Sequence, residues 1–231
     1  MYHSPNISII IPAINEEESI GLVLNDIPKD IAREIIVVDN GSHDNTANVA
    51  KDLGAKVMLE PLRGYGSACL RGISVLKKDT DIVVFLDGDY SDHPQDIHTI
   101  LKPILTGKAE MVIGSRMLGV REKGALLPQA LFGNKLAAFL IRLFWRFRYT
   151  DLGPFRAITY KALLALNMVD KNFGWTVEMQ IKALKKGLQI VEVPVRYRKR
   201  VGVSKITGTF SGTVRAGTKI IYTIFKYGFS R

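Results

Sequence analysis

Two kinds of apolar segment alternate along the 231-residue chain. The first kind is short, continuous and rich in β-branched residues: Ile7–Ile11 closed by Pro12, Glu34–Asp39, Ala55–Leu59, Asp81–Asp87, Met111–Gly114 and Leu188–Val195. The second carries apolar residues at helical spacing, near 16–26, 44–53, 66–78, 94–106 and 175–187. Continuous apolar strands leave no face for solvent, and their alternation with helices predicts a mostly parallel sheet covered on both sides. Residues 1–115 therefore read as a doubly wound α/β unit. After Arg116 the strand signals thin and basic residues increase. Residues 116–231 are expected to be a helical C-terminal elaboration of the same single domain.

Ligands of such sheets bind beyond the carboxyl ends of the strands. Three of those ends carry polar clusters here: Asn15-Glu16, Asp39-Asn40-Gly41-Ser42 and Asp87-Gly88-Asp89. Strand alternation aims Asp87 and Asp89 to one side, with Gly88 allowing the turn between them. Two such carboxylates offer a hard-oxygen site for Mg²⁺ or Mn²⁺, of the kind completed by substrate phosphate. The plainer reading of Asp-Gly-Asp is a capped turn. Ser91 or Asp92 is expected to cap the next helix, with Pro94 in its first turn. Asp39 suits a hydrogen bond to a base or ribose, and Asp44 an N-cap. Arg63–Ala68, RGYGSA, is either a phosphate nest or a tight turn packed closely against a helix.

Composition narrows the class. With 47% hydrophobic and 23% charged residues, the chain is neither disordered nor collagen-like. Its single cysteine, Cys69, excludes an internal disulfide and suits a reducing compartment. The start, MYHSPNISIIIP, lacks the basic n-region of a signal peptide. No stretch reaches the ~18 uninterrupted apolar residues of a spanning helix. The net charge of +10 divides unevenly: residues 1–115 hold 10 basic and 17 acidic side chains, residues 116–231 hold 22 and 5. An acidic half at −7 suits a cation, and a basic half at +17 suits phosphate or an anionic membrane. A nucleic-acid partner is not expected, because the basic residues accompany apolar helices rather than stacking platforms or a recognition helix.

Taken in order, IPAINEE, VVDNGSHDNT, RGYGSA, LDGDYSDHP, IGSR and EVPVRYRKRVGVSK resemble the family 2 glycosyltransferases of GT-A fold, from about Ile7 to Lys205. The pattern is most similar to the polyprenyl-phosphate (dolichyl-phosphate) hexose synthases. That resemblance implies inverting transfer of a hexose from a nucleotide sugar, UDP-glucose or GDP-mannose, to a lipid phosphate. It implies that Pro12, Ile14, Glu16 and Asp39 hold the donor nucleoside, and that Asp87 and Asp89 bind a divalent cation on its diphosphate. Ser91 stands where many relatives carry a metal-holding Gln, and Asn40 where they carry a second acid. Arg116 matches an acceptor-phosphate arginine. The Arg198–Lys205 stretch matches a basic loop ending in Gly-x-Ser-Lys, so Ser204 and Lys205 join the site, with either Arg198 or Arg200 as its critical arginine. Leu126–Gly133 lacks an arginine that relatives carry there.

A phosphate acceptor is already anionic near neutral pH, whereas a hydroxyl acceptor needs a base. For that second reading, a soluble family 2 enzyme, Asp151 is the preferred catalytic base, with Glu178 also on the acceptor side. The alternative for Asp151 is an ion pair with Arg156. Leu131–Arg148 places Lys135, Phe139, Arg142 and Arg146 within ~60° of one another beside a broad apolar face. Gly208–Lys226 repeats the arrangement with Arg215, Lys219, Tyr222 and Lys226. Two such helices suit a membrane interface, with Trp145 and Tyr222 at its depth. The alternative is that both pack on the sheet with solvated bases. The expected location is cytoplasmic, peripheral on the inner face of the membrane.

Overall fold

A computed structural model describes residues 4–202 and 210–229. Seven strands form one sheet: β1 (Ile7–Ala13), β2 (Glu34–Asp39), β3 (Lys56–Leu59), β4 (Ile82–Phe85), β5 (Met111–Ser115), β6 (Arg156–Thr159) and β7 (Ile190–Pro194). Their order is β3-β2-β1-β4-β6-β5-β7, parallel except for β6, which runs antiparallel to both neighbours. The helices are α1 (Ile20–Asp26), α2 (Thr46–Asp52), α3 (Tyr65–Ser74), α4 (Ile97–Leu105), α5 (Pro128–Trp145), α6 (Tyr160–Leu166), α7 (Trp175–Lys185) and α8 (Phe210–Phe229).

All seven residues of β1 are buried, as a central strand without a wet face requires. Alternation splits its side chains between two cores. Ile9 and Ile11 pack with Ile20 and Val23 of α1 and Ile97 and Ile100 of α4. Ile10 joins Cys69 of α3, Leu163 of α6 and Trp175 of α7 on the other face. Trp175 meets Phe85 of β4 edge-on, with ring centroids 6.0 Å apart. The mostly parallel, doubly wound sheet read from the sequence is therefore observed.

Two elements escape the apolar pattern. Strand β6 has four residues and opens on a buried arginine, yet it fills the gap between β4 and β5. Helix α6 follows it directly, started by Thr159, whose Oγ1 accepts the Ala162 N–H at 3.4 Å. The expected caps of the helix after β4 are also absent. A short 3₁₀ turn, Pro94–Asp96, precedes α4, and neither it nor α4 has a side-chain cap from its N-cap residue. Asp44 caps one residue earlier than α2's own N-cap position, with Oδ1 accepting the Thr46 N–H at 3.1 Å.

Candidate active site

Register brings the strand ends together: Ala13 of β1 lies opposite Asp39, and Ile10 opposite Phe85, two residues before Asp87. A cavity of about 700 Å³ opens there, with Pro12, Ile14, Glu16, Asp87 and Asp89 in its wall. Glu16 is held by Ser19, whose Oγ donates to Oε2 at 2.8 Å. Asp39 does not line this cavity: its Oδ1 accepts the Ser42 N–H at 2.9 Å and also the Ser42 hydroxyl, closing its own turn. Asn40 lines the wall in its place. Its amide is fully committed, with Nδ2 donating to the Glu60 and Leu62 carbonyls at 2.9 Å each and Oδ1 accepting from Gly64 N–H at 2.7 Å.

The acids of the Asp-Gly-Asp turn have different neighbours. Asp87 accepts from the Tyr65 hydroxyl at 3.1 Å through Oδ1. Burial, then the charge of Asp89, pushes its carboxyl up to about 7, against the pull of Arg200. Asp89 accepts from Ser91 N–H (2.9 Å) and Oγ (2.6 Å) through Oδ1 and pairs with Arg200 through Oδ2. Ser91 thus serves Asp89 instead of capping a helix. Asp92 is buried with no hydrogen bond to either carboxylate oxygen, and burial together with Asp87 and Asp89 holds it well above the usual carboxylate range. Among the described residues no three metal-ligating side chains converge. The chain's own contribution is a pair of crowded carboxylates, one already carrying a cation. That donor chemistry fits Mg²⁺ or Mn²⁺ completed by water and phosphate oxygens.

The basic segment after β7 lies across this turn. Arg198 N–H donates to the Ser91 carbonyl (2.9 Å) and Val201 N–H to the Asp89 carbonyl (3.0 Å). Arg196 holds Asp96 through its backbone N–H at 2.7 Å and Nε at 2.9 Å. Arg198 stacks 3.3 Å from the Tyr90 ring centroid and donates to the Tyr90 carbonyl at 2.7 Å. Of the two candidate arginines, Arg198 is thus spent on the strap and Arg200 faces the cavity. Ser204 and Lys205 lie outside the described residues.

A second cavity, about 400 Å³, adjoins the first and shares Tyr65, Asp87, Phe173 and Arg200 with it. Leu126, Leu127, Leu152, Pro154 and Ile220 give it apolar walls, and Arg116 joins them. Asp151 is fully buried and pairs with Arg116, not with Arg156. Arg116 donates from its backbone N–H and Nε to Oδ2 and from Nη2 to Oδ1, each at 2.8 Å. Burial works against the charge on Arg116, but Asp151 outweighs it and raises the guanidinium above its ordinary value. A carboxylate engaged in this way faces its own arginine rather than an acceptor, and the pairing weighs against the expected role of Asp151 as a base. Glu178 is also outside the site, accepting from Lys182 (2.8 Å), Tyr227 Oη (2.7 Å) and Asp170 N–H (2.7 Å) beneath α8.

The glycines of RGYGSA act by close packing. A Cβ on Gly66 would lie 2.0 Å from the Asp170 carbonyl oxygen, and Ser67 N–H donates to the Lys171 carbonyl at 3.0 Å. With Gly64 N–H also committed to Asn40, the turn is not a free anion nest. Sequence reasoning had Arg63 and Tyr65 only as parts of the RGYGSA turn, and missed Phe173 in the cavity wall. Tyr65 was legible as the residue the two glycines bracket; Phe173 had no local signal.

The family model for glycosyl transferase family 2 matches residues 8–164. The chain belongs to that family. Among its relatives, an uncharacterized glycosyltransferase of Mycobacterium tuberculosis is 35% identical over 212 residues, 91% of this chain and 94% of that protein. The dolichyl-phosphate hexose transferase of Haloferax volcanii is 30% identical over 226 residues, 95% of this chain and 94% of that protein. Glucosyl-3-phosphoglycerate synthase from Mycobacterium tuberculosis, solved with Mn²⁺, UDP-glucose and phosphoglyceric acid, has a TM-score of 0.78 at 24% identity. The match covers 97% of this chain and 80% of that one, and it shows the GT-A fold.

Proposed function

We propose that this family 2 glycosyltransferase moves a hexose from UDP-glucose or GDP-mannose to a polyprenyl (dolichyl) phosphate at a membrane surface, with inversion. The observation that carries the reading is the second cavity, whose apolar walls run up to Arg116, Arg200 and Asp87. Apolar walls ending on two guanidiniums are complementary to a phosphate with a long hydrocarbon tail. The named activity of the Haloferax volcanii relative supports the same acceptor class.

In this reading the chain is a single domain in which residues 1–115 hold the donor and 116–231 the acceptor. Pro12, Ile14 and Glu16 hold the nucleoside, and Asp39 shapes the loop beside it through Ser42. Asp87 and Asp89 hold Mg²⁺ or Mn²⁺, which supplies charge stabilisation to the departing nucleoside diphosphate. Arg200, already on Asp89, adds a positive charge where donor and acceptor meet. Arg116, fixed by Asp151, keeps Nη1 free of hydrogen bonds to the described residues and orients the acceptor phosphate. The phosphate oxygen attacks as an anion, so no base is required. A hydroxyl acceptor ranks second because Asp151 is already engaged.

No helix among the described residues is long and apolar enough to cross a membrane. Attachment to a membrane surface is supported by α5, where Phe132 (68% exposed), Phe139 (61%) and Leu143 (67%) form one apolar stripe beside Lys135 and Arg142. On α8, Tyr222 and Phe229 are exposed, and Phe144 of α5 meets Phe225 and Phe229 edge-on, joining the helices. The half-buried Trp145 packs on Phe144, so the phenylalanines take the interfacial role expected of Trp145. Such a surface suits an anionic bilayer.

The test is product analysis with radiolabelled UDP-glucose and GDP-mannose, offering polyprenyl phosphate and unphosphorylated polyprenol side by side. Label is expected in the organic phase with the phosphate alone. Label that remains aqueous with both donors overturns the reading.

A further inference from the structure

The two acids of the Asp-Gly-Asp turn are held by unlike partners. Asp89 has both oxygens engaged, by Ser91 and by the charge of Arg200. Asp87 has one, Oδ1, engaged by a neutral donor, the Tyr65 hydroxyl at 3.1 Å. Its other oxygen has no hydrogen-bond partner among the described residues. Tyr65 opens α3, and its backbone position is fixed from both sides. Gly64, at φ +145°, sits where a Cβ would lie 2.1 Å from the Lys171 carbonyl oxygen, and Gly66 is as tight against Asp170. Ser67 completes the anchor, donating to the Lys171 carbonyl from N–H (3.0 Å) and Oγ (3.2 Å). The start of α3 is therefore pressed onto residues 170–171, and the tyrosine ring is set between the two cavities, lining both.

From this geometry we infer that Tyr65 is a positioning residue for Asp87. It occupies one carboxylate oxygen so that the other is presented, in a fixed orientation, to the divalent cation and the donor diphosphate. Packing alone asks only for the ring, which phenylalanine also has; the hydroxyl donates to Asp87, with the buried Cys69 thiol also beside it. A buried phenol without a partner is costly, and a hydrogen bond that orients a metal-binding carboxylate is worth about 10–100-fold in metal affinity. The inference rests on the proposed reading of Asp87 and Asp89 as the cation pair.

The test is Tyr65→Phe, read by electron paramagnetic resonance of free Mn²⁺ titrated into the whole chain without nucleotide. Mn²⁺ affinity is expected to fall about tenfold, with unchanged circular dichroism and thermal melting. Titrating Mg²⁺ into the wild type is expected to perturb the near-ultraviolet tyrosine absorbance, and this perturbation is expected to be missing from the variant. Mn²⁺ binding within about twofold of wild type, well below the effect of a lost orienting hydrogen bond, overturns the inference. If Tyr65→Phe does not fold, a wild type that binds Mg²⁺ with no tyrosine perturbation overturns it equally. A wild type that binds no Mn²⁺ overturns the cation reading itself, which is a separate failure.

Discussion

The acidic first half and the basic second half place their charges by different means. Residues 1–115 carry their acids at the ends of β1, β2 and β4, where strand register determines which side chains converge. Residues 116–231 carry bases on two helices and on a strap whose arginines are positioned by ion pairs with the first half: Arg196 on Asp96, Arg198 near Asp26, Arg200 on Asp89. A strand-end acid is fixed by the sheet before any partner arrives. A strap arginine is placed by the acid it finds. The uneven division of the +10 charge is thus partly consumed inside the molecule.

The largest effect that would break this comparison is at the acids. Asp89→Asn removes the charge facing both Arg200 and the proposed cation, and turnover of radiolabelled nucleotide sugar is expected to fall roughly a thousandfold, the scale of lost transition-state charge stabilisation. A fully active variant would mean that the acidic end does not do the chemistry.

Next comes the pair that the second half keeps for itself. Arg116→Ala leaves the fully buried Asp151 without its partner. Denaturant unfolding should show a loss of about 3–5 kcal/mol, much of it recovered in the Arg116→Ala, Asp151→Ala double variant. Recovery distinguishes a stranded charge from lost packing.

Smaller effects sharpen the account. Asn40→Asp sets a carboxylate against the Glu60 and Leu62 carbonyls that now accept from Nδ2. It should cost about 1–3 kcal/mol in the same unfolding experiment. Phe139→Glu, on the exposed stripe of α5, should weaken sedimentation with anionic liposomes roughly tenfold without lowering stability. High salt should release the wild type from the same liposomes.

The pH dependence is the gentlest test. Asp87 is raised from 3.8 to about 7, so between those values the folded protein holds a proton that the unfolded chain has lost. Its contribution to stability is full below the unfolded value and fades as pH rises through about 7. Melting curves from pH 4 to 8 should therefore fall less steeply for Asp87→Asn than for wild type.

How much the sequence disclosed follows the same division. The runs at Ile7–Ile11, Glu34–Asp39 and Asp81–Asp87 announced central strands because a strand buried on both faces needs apolar residues throughout. That also exposed the polar residues at their ends, and so Glu16, Asp87 and Asp89. Strand β6 was hidden because its pairing is non-local: RAIT becomes a strand only between β4 and β5. Asp39 and Asp151 were visible as acids, but their partners, Ser42 and Arg116, depend on a turn and on a 35-residue loop closure. The choice between Arg198 and Arg200 required knowing that Tyr90 and Asp26 stand beside the strap.

The central claim is a division of labour, with the donor held by the acidic half and the lipid phosphate by the basic half. The most direct measurement compares two variants, Asp89→Asn and Arg116→Lys, for Mn²⁺-dependent binding of UDP and GDP and for binding of polyprenyl phosphate in neutral liposomes. Asp89→Asn should lose the first and keep the second; Arg116→Lys should keep the first and lose the second. Variants that lose both together, or neither, would contradict the account.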